Sequence, residues 1–237
     1  QFTGAELVAD KWNLSREDLD QFALESHKKA AHATESKYFD REILPVEGKN
    51  AEGINDLVMA DEGIRFDASL DKLAGLNPVT EGGVITAGNA SQITDGAAAV
   101  VICNDAGLKK IQANPRAEIV SISVVGDDPV FMLTGPIPAS KKALETANLS
   151  IDDIDLYEVN EAFAPVPLAW AVDLKADKSK LNVNGGAMAL GHPLGATGAK
   201  LMTTLLHEME RRESKHGLQA ICEGGGTANA TIIKRIA

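Results

Sequence analysis

The sequence contains few cysteines and few aromatic residues, and it has no long hydrophobic run. Its two cysteines, Cys103 and Cys222, are too few for a disulfide framework or a four-cysteine zinc site, so we expect no metal site. No segment approaches the roughly 20 apolar residues of a membrane-spanning helix, and none resembles a signal peptide. These absences predict a cytoplasmic protein with reduced cysteines and no membrane span.

Basic residues are also scarce. The chain has 23 Lys and Arg residues against 34 Asp and Glu residues, which gives a formal net charge of -11. Because nucleic-acid binding needs a basic surface, we expect no nucleic-acid partner. A small anionic ligand remains compatible with this charge, since backbone N–H groups and a few lysines can bind it.

Segments with helical and strand periodicity alternate along the chain, which predicts an α/β fold that ends in an antiparallel hairpin. Residues 1–40 are helical in pattern, and Ser15 is expected to cap a helix. Residues 41–91 are rich in Gly, Asn and Asp and are expected to form an irregular excursion. Further helices are predicted at 95–113, 140–147, 169–174 and 194–212, and strands at 118–125, 156–159, 181–183, 217–222 and 230–236.

Three local assignments follow from these patterns. A capping box from Thr3 to Glu6 is expected to start the first helix. His27 lies on the polar side of a helical pattern and is expected to face solvent. Cys103 lies inside the apolar run of segment 95–113 and is expected to pack in the core.

Three segments that could carry chemistry each follow a predicted strand. They are Asn160 to Ala164, the glycine-rich stretch around His192, and Cys222 with the three glycines after it. In an open α/β sheet, ligands bind at the carboxyl ends of the strands, where such segments gather. We therefore expect these side chains to lie at one rim of the sheet.

The glycine-rich stretch, NVNGGAMALGHPLGATGAK, does not fit a nucleotide site. It lacks the Gly-Lys-Ser/Thr end of a P-loop, and its glycines do not follow the G-x-G-x-x-G spacing. Pro193 biases His192 toward an extended conformation just before a helix, where a histidine can exchange protons near neutral pH. A histidine site is therefore the better interpretation.

Cys222 and Asn160 each have two interpretations from sequence alone. Cys222 is either a small buried residue at the start of a hairpin or an acid, base or nucleophile beside backbone N–H groups of an oxyanion hole. Asn160 is equally compatible with an oxyanion donor and a helix cap.

Four motifs in order make the sequence recognisable. The stretch around His192 resembles the glycine-histidine signature of thiolases, and CEGGGTANATIIKR resembles their C-terminal cysteine signature. NEAFA at 160–164 and GNAS with DGAAA at 88–99 are similar to two further thiolase segments. The resemblance runs from Gln1 to Ala237. It implies an acyl-CoA acyltransferase that catalyses thiolysis of 3-oxoacyl-CoA or the reverse Claisen condensation, in fatty acid metabolism and β-oxidation.

The resemblance also implies roles for individual residues. His192 would activate a nucleophilic cysteine, and Cys222 would move a proton to and from the substrate α-carbon. Asn160 would bind a water that forms one oxyanion hole together with the histidine, and the Gly224 N–H would contribute to the other. A fixed donor of this kind is worth roughly 3 kcal/mol in such reactions.

The implied ligand is coenzyme A, which enters as acyl-CoA substrate, with no permanently bound cofactor. Ser91, Ala162 and Phe163 match positions that bind substrate and coenzyme A. The family further implies a homodimer or a homotetramer.

The implied fold is a thiolase fold: a C-terminal α/β half, with a mixed sheet covered by helices, plus a helical and irregular loop domain. Residues 1–93 would form the coenzyme A-binding loop domain, 94–115 a helix returning to an N-terminal half, and 116–237 the C-terminal domain. No residue here matches the nucleophilic cysteine of that N-terminal half. We therefore expect the isolated fragment to be inactive and the missing half to exist on another chain or to have been lost.

Two alternatives remain: a β-ketoacyl synthase-like condensing enzyme and a non-catalytic acyl-CoA-binding thiolase-like protein. The synthases use a second histidine where this chain has Cys222. Ala228 departs from the signature, which usually has glycine there. Pro165 and Pro167 predict that the helix after NEAFA starts late or bends.

Overall fold

The structure, a computed structural model, describes residues 1–49 and 53–236. Two helices open the chain, α1 (Phe2–Lys11) and α2 (Arg16–Glu35). Ser15 caps α2 as predicted: its hydroxyl accepts a hydrogen bond from the Asp18 N–H, and the Asp18 carboxylate accepts one from the Ser15 N–H. In the described residues no helix has the length and apolar character needed to cross a membrane.

The capping box predicted at Thr3 is wrong. Helix α1 already begins at Phe2, so Thr3 lies within it. The Glu6 carboxylate accepts hydrogen bonds from the N–H groups of Val84 and Ile85 instead. These contacts join α1 to a segment about 80 residues away, a partner that local sequence cannot reveal.

The excursion at 41–91 has little regular structure, as predicted. It contains an antiparallel hairpin of β1 (Val46–Lys49) and β2 (Asn55–Val58), followed by the short helix α3 (Leu70–Ala74). Residues 50–52, which belong to the predicted loop domain, lie outside the described residues, as does Ala237 at the end of the predicted C-terminal domain.

The helix predicted at 95–113 is mostly absent, and the assignment of Cys103 to the core is wrong. Only α4 (Asp105–Ile111) is helical, and Cys103 is exposed. Val101 and Ile102 are 80% and 73% exposed. A helix in water depends on packing its apolar side, and in the described part of the chain no element covers these side chains.

The remaining chain builds a four-stranded mixed sheet with helices on both faces, as predicted. Its elements are β3 (Ala117–Gly126), α5 (Pro136–Ala147), β4 (Leu156–Val159), α6 (Pro165–Leu174), α7 (Ala187–Leu190), α8 (Thr197–Arg211), β5 (His216–Cys222) and β6 (Thr227–Arg235). The strand order is β3-β6-β5-β4, with β4 and β5 parallel and the other pairs antiparallel. The strand predicted at 181–183 is reduced to two isolated bridges, Leu181 to Tyr157 and Val183 to Gly185.

Two apolar layers cover the sheet. Side chains alternate along each strand, so β5 sends Leu218 and Ala220 toward α5 and α6, in the main core. On the opposite face, Leu156 of β4 packs with Leu205 and Met209 of α8. The α8 layer therefore lies over one face of β4 and β5 and reaches the carboxyl ends of both strands.

Helix α6 begins at Pro165 without delay, so the predicted late start or bend is wrong. Pro165 occupies the first helical position and Pro167 the first turn, where the backbone N–H groups have no partner within the helix. A proline there removes no hydrogen bond. Its fixed φ also favours the helical conformation.

Candidate active site

Asn160 and Cys222 lie where β4 and β5 end. The two strands are parallel with Val159 opposite Ala220, and the Asn160 N–H donates to the Ala220 carbonyl at 3.0 Å. Asn160 is buried just beyond β4, and Cys222 is the last residue of β5. The parallel register thus brings both residues to the same edge of the sheet.

His192 reaches this edge from the loop between α7 and α8. Its N–H donates to the Gln92 carbonyl at 3.1 Å, and its Nδ1 lies 2.6 Å from the Thr197 Oγ1. The Thr197 hydroxyl donates to the Pro193 carbonyl at 3.1 Å, so the histidine Nδ1–H is the donor in the shorter contact. This assignment leaves a lone pair on Nε2, which lies 3.4 Å from the Asn160 Nδ2.

The surroundings of His192 favour the neutral imidazole. Burial lowers the pKa of His192, and the positive charge of Lys200 lowers it further. A neutral ring with Nε2 unprotonated can accept a proton from a nearby thiol. The loop therefore presents a base to the edge of the sheet.

The Cys222 thiol retains its proton, whereas the His192 ring is a base that can accept one. Burial raises the pKa of the Cys222 thiol to about 12, with a smaller contribution from the Glu223 charge. A thiol in this state is a weak nucleophile at neutral pH but a proton donor whose thiolate is strongly basic. Burial therefore suits it to proton transfer.

The glycine turn after Cys222 requires glycine at two positions. Gly225 and Gly226 have φ values of 75° and 84°, and a Cβ on Gly226 would lie 2.8 Å from the Asp127 carbonyl oxygen. Gly224 is exposed, and a Cβ there would meet no atom within 4 Å. The backbone at Gly224 therefore borders open space beside Cys222.

Ala228, the departure from the family signature, fits without strain. It lies in β6 opposite Cys222 and has no positive φ. Its methyl group is fully buried and occupies the space where Gly135 has no side chain. The glycine at 135 thus accommodates the alanine at 228.

The residues predicted to bind coenzyme A lie together. Ala90 and Phe163 form an antiparallel bridge, and the Ser91 N–H donates to the Ala162 carbonyl at 3.0 Å. Phe163 is buried, with its ring in edge contact with Phe2 at 5.3 Å between centroids. These contacts connect the end of the excursion to the NEAFA segment that carries Asn160.

Sequence reasoning missed the role of Glu161. Its buried carboxylate accepts hydrogen bonds from the Ser26 hydroxyl at 2.7 Å, the Asn182 amide at 2.9 Å and the Met188 N–H at 3.1 Å. A Cβ on Gly186 would lie 2.2 Å from the carboxylate carbon. Glu161 thus joins α2, the NEAFA segment and the loop that carries His192. The sequence shows that Glu161 belongs to the NEAFA motif, but it does not reveal the hydrogen-bond partners of the carboxylate.

The prediction for His27 needs correction, and Lys200 makes contacts that the sequence did not predict. His27 does not face solvent: it is buried, its Nδ1 accepts a hydrogen bond from the Arg65 N–H at 3.1 Å, and burial lowers its pKa. Lys200 donates to the carbonyls of Leu190 and Gly191, just before His192. The lysine at the end of the glycine-rich stretch thus stabilises the histidine loop.

Two thiolase family models match the chain. The model described as "Thiolase, C-terminal domain" matches residues 113–235, and "Thiolase, N-terminal domain" matches residues 3–106. The chain is 54% identical over 236 residues to a steroid 3-ketoacyl-CoA thiolase of Mycobacterium tuberculosis. That alignment covers 100% of this chain and 56% of the relative.

Solved structures with the same architecture are also similar. The crystal structure of the Bacillus anthracis acetyl-CoA acetyltransferase has a TM-score of 0.94 at 41% identity and covers 99% of this chain and 60% of its own. That of human mitochondrial 3-ketoacyl-CoA thiolase in complex with CoA has a TM-score of 0.91 at 43% identity and covers 99% and 58%. The chain therefore spans between 56% and 60% of the length of these proteins.

Proposed function

Because this chain belongs to the thiolase family and has the thiolase fold, we propose that it carries the acid–base and oxyanion residues of an acyl-CoA acyltransferase. The reaction is thiolysis of 3-oxoacyl-CoA or the reverse Claisen condensation. The observation that carries the proposal is that Asn160 Nδ2 lies 3.4 Å from His192 Nε2 at the edge of the sheet where β4 ends and where Cys222 is the last residue of the parallel strand β5. A base, an amide donor and a protonated thiol at one edge are the groups that this chemistry needs.

In the thiolytic direction, His192 Nε2 takes the proton of a nucleophilic cysteine, whose thiolate attacks the 3-oxo carbon of the substrate. The bond between the second and third carbons then breaks, and its electron pair forms the enolate of acetyl-CoA. Cys222 donates its proton to the second carbon, and acetyl-CoA leaves. Backbone and amide donors near the thioester oxygen stabilise this enolate more than they stabilise the substrate.

The second half of the reaction uses the same thiol in reverse. The Cys222 thiolate takes the proton of the incoming coenzyme A thiol, whose sulfur attacks the acyl-enzyme carbonyl. Acyl-CoA forms, and the nucleophilic cysteine is released. The pKa of about 12 supports this role, because a thiolate of high pKa removes a proton from an ordinary thiol readily.

We place the nucleophilic cysteine outside residues 1–237. Cys222 keeps its proton, and Cys103 is exposed in the segment just before α4. A buried thiol of raised pKa such as Cys222 does not suit the acyl-carrying role, which needs a thiolate. The nucleophile would belong to an N-terminal thiolase half outside these residues.

The other assignments stand as parts of the same proposal. Ser91 and Phe163 bind the pantetheine arm of coenzyme A, and Ala162 belongs to the same substrate-binding set. Residues 1–93, 94–115 and 116–237 are the three structural parts. The human relative named above was crystallised with CoA, which supports an acyl-CoA substrate. We further propose a cytoplasmic homodimer or homotetramer that acts in β-oxidation.

The decisive experiment is a thiolysis assay on enzyme that contains both thiolase halves, with short, long and ring-bearing 3-oxoacyl-CoA substrates. Cys222→Ala should abolish thiolysis while acyl transfer from a simple acyl-CoA to the nucleophile, followed by mass spectrometry, continues. Cys103→Ala is the matched control and should leave both steps unchanged. Thiolysis that survives the loss of Cys222 would contradict the proposed role, and inactivity of the wild-type enzyme on all substrates would favour an acyl-CoA-binding protein.

A further inference from the structure

Glu158 is a buried acid that the proposed mechanism does not use. It lies in β4, two residues before Asn160, so both side chains leave the strand on the face covered by α8. Its side chain is 2% exposed. Among the described residues, the Glu158 carboxyl has no hydrogen-bond donor and no cation within ion-pair distance.

The charges around Glu158 disfavour its ionised form. A buried carboxylate without a donor is costly, and protonation removes that cost. The acids nearest in its surroundings are Glu161, Glu42 and Glu208, and the cations are Lys29 and Lys200. The Lys29 ammonium donates to the Leu181 carbonyl, and the Lys200 ammonium donates to the carbonyls of Leu190 and Gly191. Burial first, and then Glu161 and Glu42, raise the pKa of Glu158 well above its ordinary value.

Asn160 has a buried acceptor that lacks a donor. Its Oδ1 is buried, and within the described residues it has no hydrogen-bond donor. A cavity of about 10 Å³ lies between β4 and α8, lined in part by Glu158, Asn160, Thr197, Lys200 and Thr204. This volume corresponds to about one water molecule.

Most of the other hydrogen-bond donors around the cavity already donate to other acceptors. The Thr197 hydroxyl donates to the Pro193 carbonyl, and the Thr204 hydroxyl donates to Glu42. Lys200 uses two of its three protons on carbonyls. Among the described residues that line the cavity, Glu158 precedes Asn160 by two positions and leaves the chain on the same face, about 6.6 Å away, a separation that one water can bridge.

We infer that Glu158 is a positioning residue: as a neutral carboxylic acid it hydrogen-bonds, through one water in this cavity, to the Asn160 Oδ1 and orients the amide NH2 toward His192. The lone pair on His192 Nε2 already favours this orientation over the flipped one, and the water-mediated bond to Oδ1 would reinforce it. The inference rests on the proposed function of Asn160 but extends the site by a residue that contacts neither substrate nor coenzyme.

The first test measures protonation directly and needs no activity. Infrared difference spectra at pH 7 between wild type and Glu158→Gln should show the loss of a protonated carboxyl C=O band with no change in the carboxylate bands. Glu208→Gln is the matched control, because Glu208 is equally buried. Although burial opposes it, hydrogen bonds from Arg211, Asn184 and Arg212 place the pKa of Glu208 below its ordinary value. The Glu208→Gln variant should therefore lose carboxylate bands. Loss of carboxylate bands on replacing Glu158 would overturn the inference.

The second test separates positioning from packing, in enzyme that contains both halves. Glu158→Leu should lower kcat about tenfold with KM within about twofold, because the donor is lost while substrate binding remains. Glu158→Gln keeps an N–H donor and should retain kcat within about threefold. Equal losses in the two variants, or unchanged kcat in Glu158→Leu, would overturn the inference.

Failure of this inference and failure of the proposed function give different results. If thiolysis survives Cys222→Ala and His192→Ala, the proposed function is wrong, and the infrared result still reports the state of Glu158. If both of those variants are inactive while the Glu158 variants behave alike, only the positioning role is wrong.

Discussion

Replacing Gly186 by alanine places a methyl group against the Glu161 carboxylate. Gly186 has φ −148° and ψ −155°, an extended backbone that alanine adopts, so the cost is steric. The new Cβ would lie 2.2 Å from the carboxylate carbon and 2.5 and 2.6 Å from its oxygens, where ordinary contact begins near 3.4 Å. The carboxylate must therefore retreat by about 1 Å or more, since core packing leaves little room on the other side.

That movement breaks hydrogen bonds in a buried region. Glu161 accepts from the Ser26 hydroxyl at 2.7 Å and from the Met188 N–H at 3.1 Å, and neither bond survives such a shift. Each buried donor left without a partner costs about 1–3 kcal/mol, so we expect Gly186→Ala to lower the free energy of unfolding by about 2–6 kcal/mol. The measurement is urea denaturation of both proteins at the same pH, with a common slope.

Gly195→Ala is the matched control in the same glycine-rich stretch. A Cβ there would meet no atom within 4 Å and the residue has no positive φ, so the change should stay within about 0.5 kcal/mol. In a double-mutant cycle, Glu161→Ala should make room for the methyl group, so that adding Gly186→Ala to it costs little. Equal stability of the Gly186 and Gly195 variants, or full additivity in the cycle, would refute the steric reasoning.

Two further predictions concern titration and thiol reactivity. The His192 ring signals in NMR should titrate below the ordinary histidine pKa of about 6.5, and Lys200→Met should raise the midpoint. Because the unfolded chain then binds more protons than the folded one, stability should fall as pH drops from about 6.5 toward the folded pKa; an unshifted midpoint would contradict this. A thiol reagent at pH 8 should modify Cys103 in the 237-residue chain much faster than Cys222, and denaturation should equalise the two; a fast-reacting Cys222 in the folded chain would contradict its burial.

The sequence predicted most of the sheet and the order of the site because those signals are local. Strand alternation identified β3, β4, β5 and β6 to within a few residues, and the Ser15 cap was visible over four residues. The glycines, His192 and Cys222 follow their strands directly in the chain. An α/β fold gathers such segments at one edge, so topology alone predicted the site.

The errors share one cause, which is that burial depends on partners far away in the chain. The pattern at 95–113 is helical and apolar, but a helix forms there only if another surface covers it. His27 faces the Arg65 backbone instead of solvent, although its helical position is on the polar side. Pro165 predicts a late or bent helix only when its position relative to the start of the helix is unknown.

The sequence by itself therefore determined the strands of the sheet, most of the helices, the family and the identity of the candidate reactive side chains. Tertiary structure decided their chemical states. Glu161 receives the Ser26 hydroxyl from 135 residues away, and Glu158 shares a cavity with side chains of α8. Hydrogen bonds and desolvation set the protonation of a carboxyl, a thiol or an imidazole, and both depend on which atoms surround the group in the folded chain.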